Sequence, residues 1–200
     1  MNSVGNFLFK ISKNELNKKQ IFEIKKDLTV TPFNLSFYSP SFRVFRETEK
    51  DLFLPLNYAL QMLKLDYDKV EYLQSNSLQN FKNDKISLRP YQEVYFQACK
   101  DQFLKPFGGG IITLETGMGK TVLALKLILT LKKKALIIVN KIELMNQWER
   151  EIKKWIPDVK IGKIQGSRFD VEGFDIVLGM LQSISLKKSI DTTLFKSFEI

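Results

Sequence analysis

The 200-residue chain has no histidine. Imidazole, the side chain that titrates nearest neutrality, is therefore excluded from its chemistry. Any proton transfer must use carboxylates, lysines or water. There is one cysteine, Cys99, so no disulfide can close within the chain. A zinc site would have one thiol and no imidazole to draw on. No apolar run approaches the roughly 20 residues of a membrane-spanning helix. The start, Met1-Asn2-Ser3-Val4-Gly5-Asn6, lacks the basic-then-apolar layout of a secretory leader. These absences predict an intracellular protein without a membrane partner, and they do not distinguish cytoplasm, nucleus or a virus-associated setting.

With 44% hydrophobic residues the chain can bury a core and is not disordered by composition. Its formal charge is +9. Residues before Leu88 carry 13 basic and 10 acidic side chains, and the rest carry 18 and 12, so the surplus is +3 and then +6. Such a surplus suits a polyanionic partner such as nucleic acid. A lysine-rich composition without function gives the same numbers.

The most informative stretch is Leu114-Glu115-Thr116-Gly117-Met118-Gly119-Lys120-Thr121. It lies between two apolar runs, Ile111-Ile112-Thr113-Leu114 and Val122-Leu123-Ala124-Leu125, which read as a strand and the start of a helix. Gly117 and Gly119 can adopt backbone angles that turn successive N–H groups inward around a phosphate. The helix N-terminus adds unsatisfied donors and partial positive charge. Lys120 would reach the β- and γ-phosphates of a nucleotide, and the Thr121 hydroxyl would ligate Mg²⁺. A further glycine usual in such loops is replaced here by Leu114. Outside this context, Gly-Met-Gly-Lys-Thr could be a chance turn.

Residues 1 to about 85 read as a separate accessory region. Lys10–Lys26 suggests a short helix plus a strand, and Leu28–Tyr38 reads as extended. Phe42–Arg46 and Leu52–Leu54 flank the polar turn Glu47–Asp51, predicting a hairpin. Interleaved aromatics and arginines there can be the two faces of an ordinary strand or a stacking surface for bases. Part of Asn57–Tyr72 is predicted helical, and Gln74–Lys85 reads as a linker.

From Ile86 onward strands and helices alternate. Pro90 suits the first turn of a helix running to about Leu104. The helix from Gly119 is expected to end at Lys132-Lys133-Lys134, a solvated cationic cap. Ala135–Val139 reads as a strand buried on both faces. Asn140 and Glu143 suggest a capping box for the next helix, with Met145, Trp148, Ile152 and Trp155 on one face. Lys160–Ile164 and Phe174–Leu178 are further strands, and Gly179–Lys187 returns toward helix. This alternation predicts an α/β fold with a parallel sheet whose ligand lies at the carboxyl ends of the strands.

The second half resembles the first motor domain of a superfamily 2 helicase or translocase. Leu88-Arg89-Pro90-Tyr91-Gln92 matches the adenine-side motif, placing Gln92 near the base and Arg89 nearby. Leu114–Thr121 matches motif I, in which Glu115 to Thr121 form the nucleotide site. Val139-Asn140-Lys141, with Leu144 and Gln147-Trp148, resembles motif Ia, which touches the nucleic-acid strand. Asp175–Ser183 resembles a later strand-binding motif, with Met180 where many members have threonine. That leaves Gln182 and Ser183 as the contacts there. The region around Phe42–Leu56 resembles N-terminal extensions of helicases from large DNA viruses.

The resemblance implies an incomplete RecA-like sheet over 86–200, behind a small α+β region over 1–85. It implies ATP and Mg²⁺ as cofactors, and nucleic acid as partner with DNA favoured over RNA. Lys120 and Thr121 carry the catalytic roles it transfers. The family's next element, an apolar strand ending in Asp-Glu, has no counterpart: Asp175 precedes its apolar run, and Phe198-Glu199-Ile200 reads only as a strand's beginning. The expectation is therefore the ATP-binding front portion of a longer motor, with a second motor domain of the same protein as a missing partner. The alternatives are a P-loop phosphotransferase, for which nothing nominates an acceptor site, and a non-catalytic nucleotide-binding module.

Overall fold

Period-two burial builds the first of two units in the computed structural model, which describes residues 4–5, 8–31, 41–64, 85–105, 108–185 and 198. The units are Met1–Tyr72 and Leu73–Ile200. In the first, β1 (Val4–Gly5) pairs with β2 (Leu8–Ser12), a 3-10 turn follows, and α1 spans Lys18–Asp27. Then come β3 (Thr29–Val30), β4 (Phe42–Arg43), β5 (Arg46–Glu47), β6 (Asp51–Pro55) and α2 (Leu56–Leu63). The main sheet runs β1-β2-β6-β5, antiparallel throughout. Phe9 and Ile11 of β2 and Leu52 and Leu54 of β6 point to one face, where Ile24, Leu28 and Ala59 cover them. α1 starts at a reciprocal cap: Asn17 Oδ1 accepts from Gln20 N–H (2.8 Å), and Gln20 Oε1 accepts from Asn17 N–H (2.9 Å).

The expected hairpin is present as β5–β6, with Arg46 opposite Phe53. Its turn closes by Thr48 N–H donating to the Asp51 carbonyl (2.9 Å) and Asp51 N–H donating to Thr48 Oγ1 (3.0 Å). Phe42–Arg43 does not continue that hairpin as expected. It pairs with β3 in a separate two-stranded ribbon, Val30 opposite Phe42. The reading of Leu28–Tyr38 as extended holds at β3, and its remainder from Pro32 lies outside the described residues, as do most of the Gln74–Lys85 linker and the helical reading beyond Lys64.

The second unit holds α3 (Pro90–Phe103), α4 (Lys120–Leu131), β7 (Ala135–Val139), α5 (Ile142–Trp155), β8 (Ile161–Gln165), β9 (Arg168–Phe169), β10 (Ile176–Met180) and α6 (Leu181–Ser185). Its sheet runs β7-β10-β8-β9, with β7, β10 and β8 parallel and β9 antiparallel. The predicted α/β class with a parallel sheet and flanking helices is what forms. β10 is central and buried along Ile176–Gly179. Met145 and Ile152 of α5 are buried against Ile176, Leu178 and Val139, with Trp148 and Trp155 packed alongside. Leu125 and Leu129 bring α4 onto the same core. On its other side, Leu123 and Leu127 meet Phe96 of α3.

Four expectations are corrected here. Ile111–Leu114 forms no strand, and Ile111 is 96% exposed. A strand exists only through a ladder with a neighbour, and among the described residues nothing pairs with this segment. β7 is not buried on both faces: it ends the described sheet, and Ile138 is 50% exposed. Asn140 does not cap α5, whose N-cap is Lys141 without a side-chain bond. The lysine triplet is not uniformly solvated. Lys132 closes α4 in the left-handed region (φ 52°), whereas Lys134 is buried, donating to the Val171 carbonyl (2.6 Å) and standing over the Phe198 ring (4.8 Å). Desolvation lowers its pKa, opposed by the charges of Glu172 and Asp175.

Glu149 of α5 takes Lys153 (2.7 Å) and, across to β8, Lys163 (2.6 Å). Hydrogen bonds from Lys153 and then Lys163 hold its pKa below the usual carboxylate range. A carboxylate with a depressed folded pKa adds stability above its unfolded pKa and loses it as pH falls through the folded value. Glu149→Gln is therefore expected to destabilise the unit at neutral pH by about 1 kcal/mol, the order of a partly exposed ion pair. The difference should shrink in acid below the usual glutamate range, as followed by urea melts against pH.

Candidate nucleotide and nucleic-acid site

The phosphate loop runs into α4 without interruption. Gly117 (φ 85°) and Gly119 (φ 79°) both occupy the left-handed region, and Gly119 is the N-cap of α4. A side chain at either would be strained. At Gly119 there is also no room, because a Cβ would run into the amide nitrogen of Gln92. At Gly117 a Cβ would meet nothing within 4 Å, so that side of the loop is open. No acidic residue stands in the first turn of α4, so nothing neutralises the partial positive charge of its N-terminus.

Pro90 starts α3 directly beside this loop. Gln92 is only 4% exposed, and both ends of its amide are engaged. Its Oε1 accepts from Arg89 N–H (2.9 Å), and its Nε2 donates to the Met118 carbonyl (2.9 Å). An amide offers two N–H groups and two lone pairs, so one of each remains for a ligand. The Tyr91 hydroxyl also donates to the Met118 carbonyl (3.4 Å) and accepts from Arg89 Nη1 (3.2 Å). Tyr91 is thus a loop-holding residue that sequence reasoning passed over, although it sits inside the stretch that singled out Arg89 and Gln92.

Lys120 is exposed, and its ammonium is folded back on the loop, donating to the carbonyls of Leu114 (2.7 Å) and Glu115 (3.0 Å). Thr121 is half-buried in the same first turn, while Glu115 and Thr116 are exposed. This arrangement fits a polyphosphate: inward-turning glycines, a free helix N-terminus and a cation at its edge. Thr121 offers one oxygen for a divalent ion. Among the described residues no group of three or more acidic or thiol side chains could hold a metal.

At the carboxyl ends of the strands, the segments expected to touch nucleic acid converge. Gln182 Nε2 donates to the Asn140 carbonyl (3.0 Å), linking the start of α6 to the end of β7. Ser183 Oγ accepts from Gly166 N–H (2.8 Å), linking α6 to the β8–β9 turn and leaving the hydroxyl proton able to donate outward. Asn140, Lys141 and Gln147 are exposed. The Gly166-Ser167 turn was not foreseen, though Gly-Ser is a turn signal in its own right. Asp175 serves the scaffold: its Oδ2 accepts from Lys160 N–H (2.9 Å).

Residues 85–199 match the family described as type III restriction enzyme, res subunit. The chain belongs to that family. Among its relatives, a putative ATP-dependent RNA helicase of Acanthamoeba polyphaga mimivirus is 29% identical over 98% of this chain and 38% of its own length. The DNA 3′-5′ translocase XPB2 of Sulfurisphaera tokodaii is 39% identical over 47% of this chain and 20% of its own length. The chain thus spans well under half the length of these relatives. Among solved structures, the Sulfolobus solfataricus SWI2/SNF2 ATPase core in complex with dsDNA aligns with a TM-score of 0.42 and 24% identity, over 52% of this chain and 24% of that one. Membership of the restriction-subunit family and likeness to the two relatives bear out the resemblance to a superfamily 2 motor domain. Among the described residues no helix is long and apolar enough to cross a membrane.

Proposed function

We propose that this chain is the ATP-binding front portion of a superfamily 2 helicase or translocase, which couples ATP hydrolysis to strand movement in a longer intracellular protein. Gly117–Lys120 would hold the phosphates of ATP, Gln92 and Arg89 would lie on the side of its base, and the Thr121 hydroxyl would ligate Mg²⁺. Bound Mg²⁺ supplies charge neutralisation of the β- and γ-phosphates. Asn140, Lys141, Gln147, Gln182 and Ser183 contact the strand, and DNA is favoured over RNA. Residues 86–200 form the RecA-like part and 1–85 the accessory region.

The observation that carries this reading is the Gln182–Asn140 hydrogen bond. It joins two segments that family likeness assigns to strand contact, in the same unit as a phosphate loop. The test is oligonucleotide binding by fluorescence anisotropy at increasing salt. Affinity should be tolerant of sequence and fall with salt, by roughly 0.7 log units per log unit for each single-strand phosphate neutralised. Asn140→Ala with Gln182→Ala should weaken it. Binding that ignores salt, or no binding at low salt, would exclude the motor reading.

A further inference from the structure

The helix α1 breaks a local electrostatic rule without a gain inside the fold. Its first turn holds Lys18 and Lys19 and no acidic residue. Cations there face the positive end of the helix dipole, where carboxylates are favoured. Its apolar face is already spent, since Ile24 is fully buried and Ile21 packs against the same core. Yet Phe22, on the outward face, is 67% exposed. Lys18 and Lys19 precede it by four and three residues, and Lys25 and Lys26 follow it by three and four. Those spacings make all four lysines neighbours of the ring on the helix surface. Lys18, Lys19 and Lys26 are exposed and have no ion-pair partner among the described residues.

The cationic surface continues beyond the helix. Lys25 is bound to Glu47 (2.6 Å), which also takes Lys13 (3.1 Å) and Arg43 (3.6 Å). Three cations thus share one carboxylate, and the Arg43 side chain is 67% exposed. An exposed aromatic ring framed by cations combines the two parts of a single-strand site, a stacking platform and phosphate neutralisation.

We propose that α1 of the N-terminal unit is a second single-stranded nucleic-acid contact, in which Phe22 stacks on a base while Lys18, Lys19 and Lys26 engage the flanking phosphates. A membrane surface also attracts basic helices, but it requires a broad apolar face to insert. Here the exposed face offers one aromatic ring, and the aliphatic residues of α1 lie in the core.

The whole 200-residue chain is titrated with a fluorescent oligothymidine and, separately, with vesicles of phosphatidylserine and phosphatidylcholine. Phe22→Ala should weaken oligothymidine binding about 5- to 100-fold, the range for removal of one base–aromatic stack. The triple variant Lys18→Gln, Lys19→Gln, Lys26→Gln should lower the salt slope by roughly 0.7 for each phosphate that is no longer neutralised. Phe22→Trp should keep affinity and add a quench of tryptophan fluorescence on binding. Unchanged affinity and salt slope in the first two variants would overturn the proposal, as would vesicle binding without oligothymidine binding. Failure here is separable from failure of the motor reading: oligothymidine binding that ignores the α1 variants but falls in Asn140→Ala with Gln182→Ala rejects the α1 contact alone. No oligothymidine binding at low salt rejects both.

Discussion

Lys120→Ala is expected to lower ATP affinity by about 10- to 100-fold, corresponding to the 1.5–3 kcal/mol of a hydrogen bond to a charged group. The ammonium makes two bonds within the loop, to the carbonyls of Leu114 and Glu115. Binding exchanges those neutral acceptors for charged phosphate oxygens, which hold an ammonium more strongly. The loss should therefore grow with phosphate number: large for ATP, smaller for ADP and slight for AMP. Lys120→Arg should recover part of the affinity, since charge is kept while reach and shape differ. Isothermal calorimetry across the three nucleotides measures this, with circular dichroism to confirm folding. Equal losses for ATP and AMP would mean that Lys120 supports the loop's shape and leaves the phosphates to others.

The second large effect concerns turnover. The 200-residue chain is expected to hydrolyse ATP at least about 10³-fold more slowly than a chain that also carries an apolar strand ending in Asp-Glu and a second motor domain. Phosphoryl transfer needs a held metal, an oriented water and a cation on the developing charge, and the arginine finger alone is worth about 10³ to 10⁵ in rate in related phosphate-loop enzymes. Thr121 supplies one metal oxygen. No Asp-Glu pair occurs in the sequence, and Asp175 is occupied by the Lys160 N–H. Losses of residues that act as a unit do not add, so the deficit is bounded below more securely than above. Phosphate release with and without single strands, compared between the two chains, gives the ratio. Brisk Lys120-dependent turnover by the 200 residues would assign the water-activating role to another carboxylate, with Glu115 the first to replace.

What was legible in the sequence divides by the range of the interaction. α3, α4 and α5 follow from nearby residues: Pro90 at a first turn, Gly119 at an N-cap, and Met145 and Ile152 on one face. β10 follows from a continuous apolar run, because a central parallel strand is buried on both faces. Ile111–Leu114 carries a similar run, but an apolar run is a strand only when something pairs with it, and pairing is not written locally. The same limit hid β9, two residues long and defined by its register on β8. Lys134 was read from its neighbours as one of three solvated cations, whereas the Val171 carbonyl and the Phe198 ring that receive it are distant in sequence. In the site, the glycines and Lys120 were legible because their chemistry is carried by residue type and spacing. Gln92's bond to the Met118 carbonyl was not, since it depends on α3 arriving beside the loop.

The close approach of Gln92 to Gly119 also constrains how this sequence can drift. A methyl group at position 119 meets the amide of residue 92, and shortening residue 92 releases the Met118 carbonyl that the amide holds. Position 119 is closed to side chains whatever stands at 92, because its φ of 79° strains any Cβ, and position 92 must keep an amide's reach to hold a carbonyl 26 residues away. Substitutions at touching positions of this kind have non-additive costs. Inherited variation should therefore be absent at 119 and confined at 92 to side chains that still reach the Met118 carbonyl.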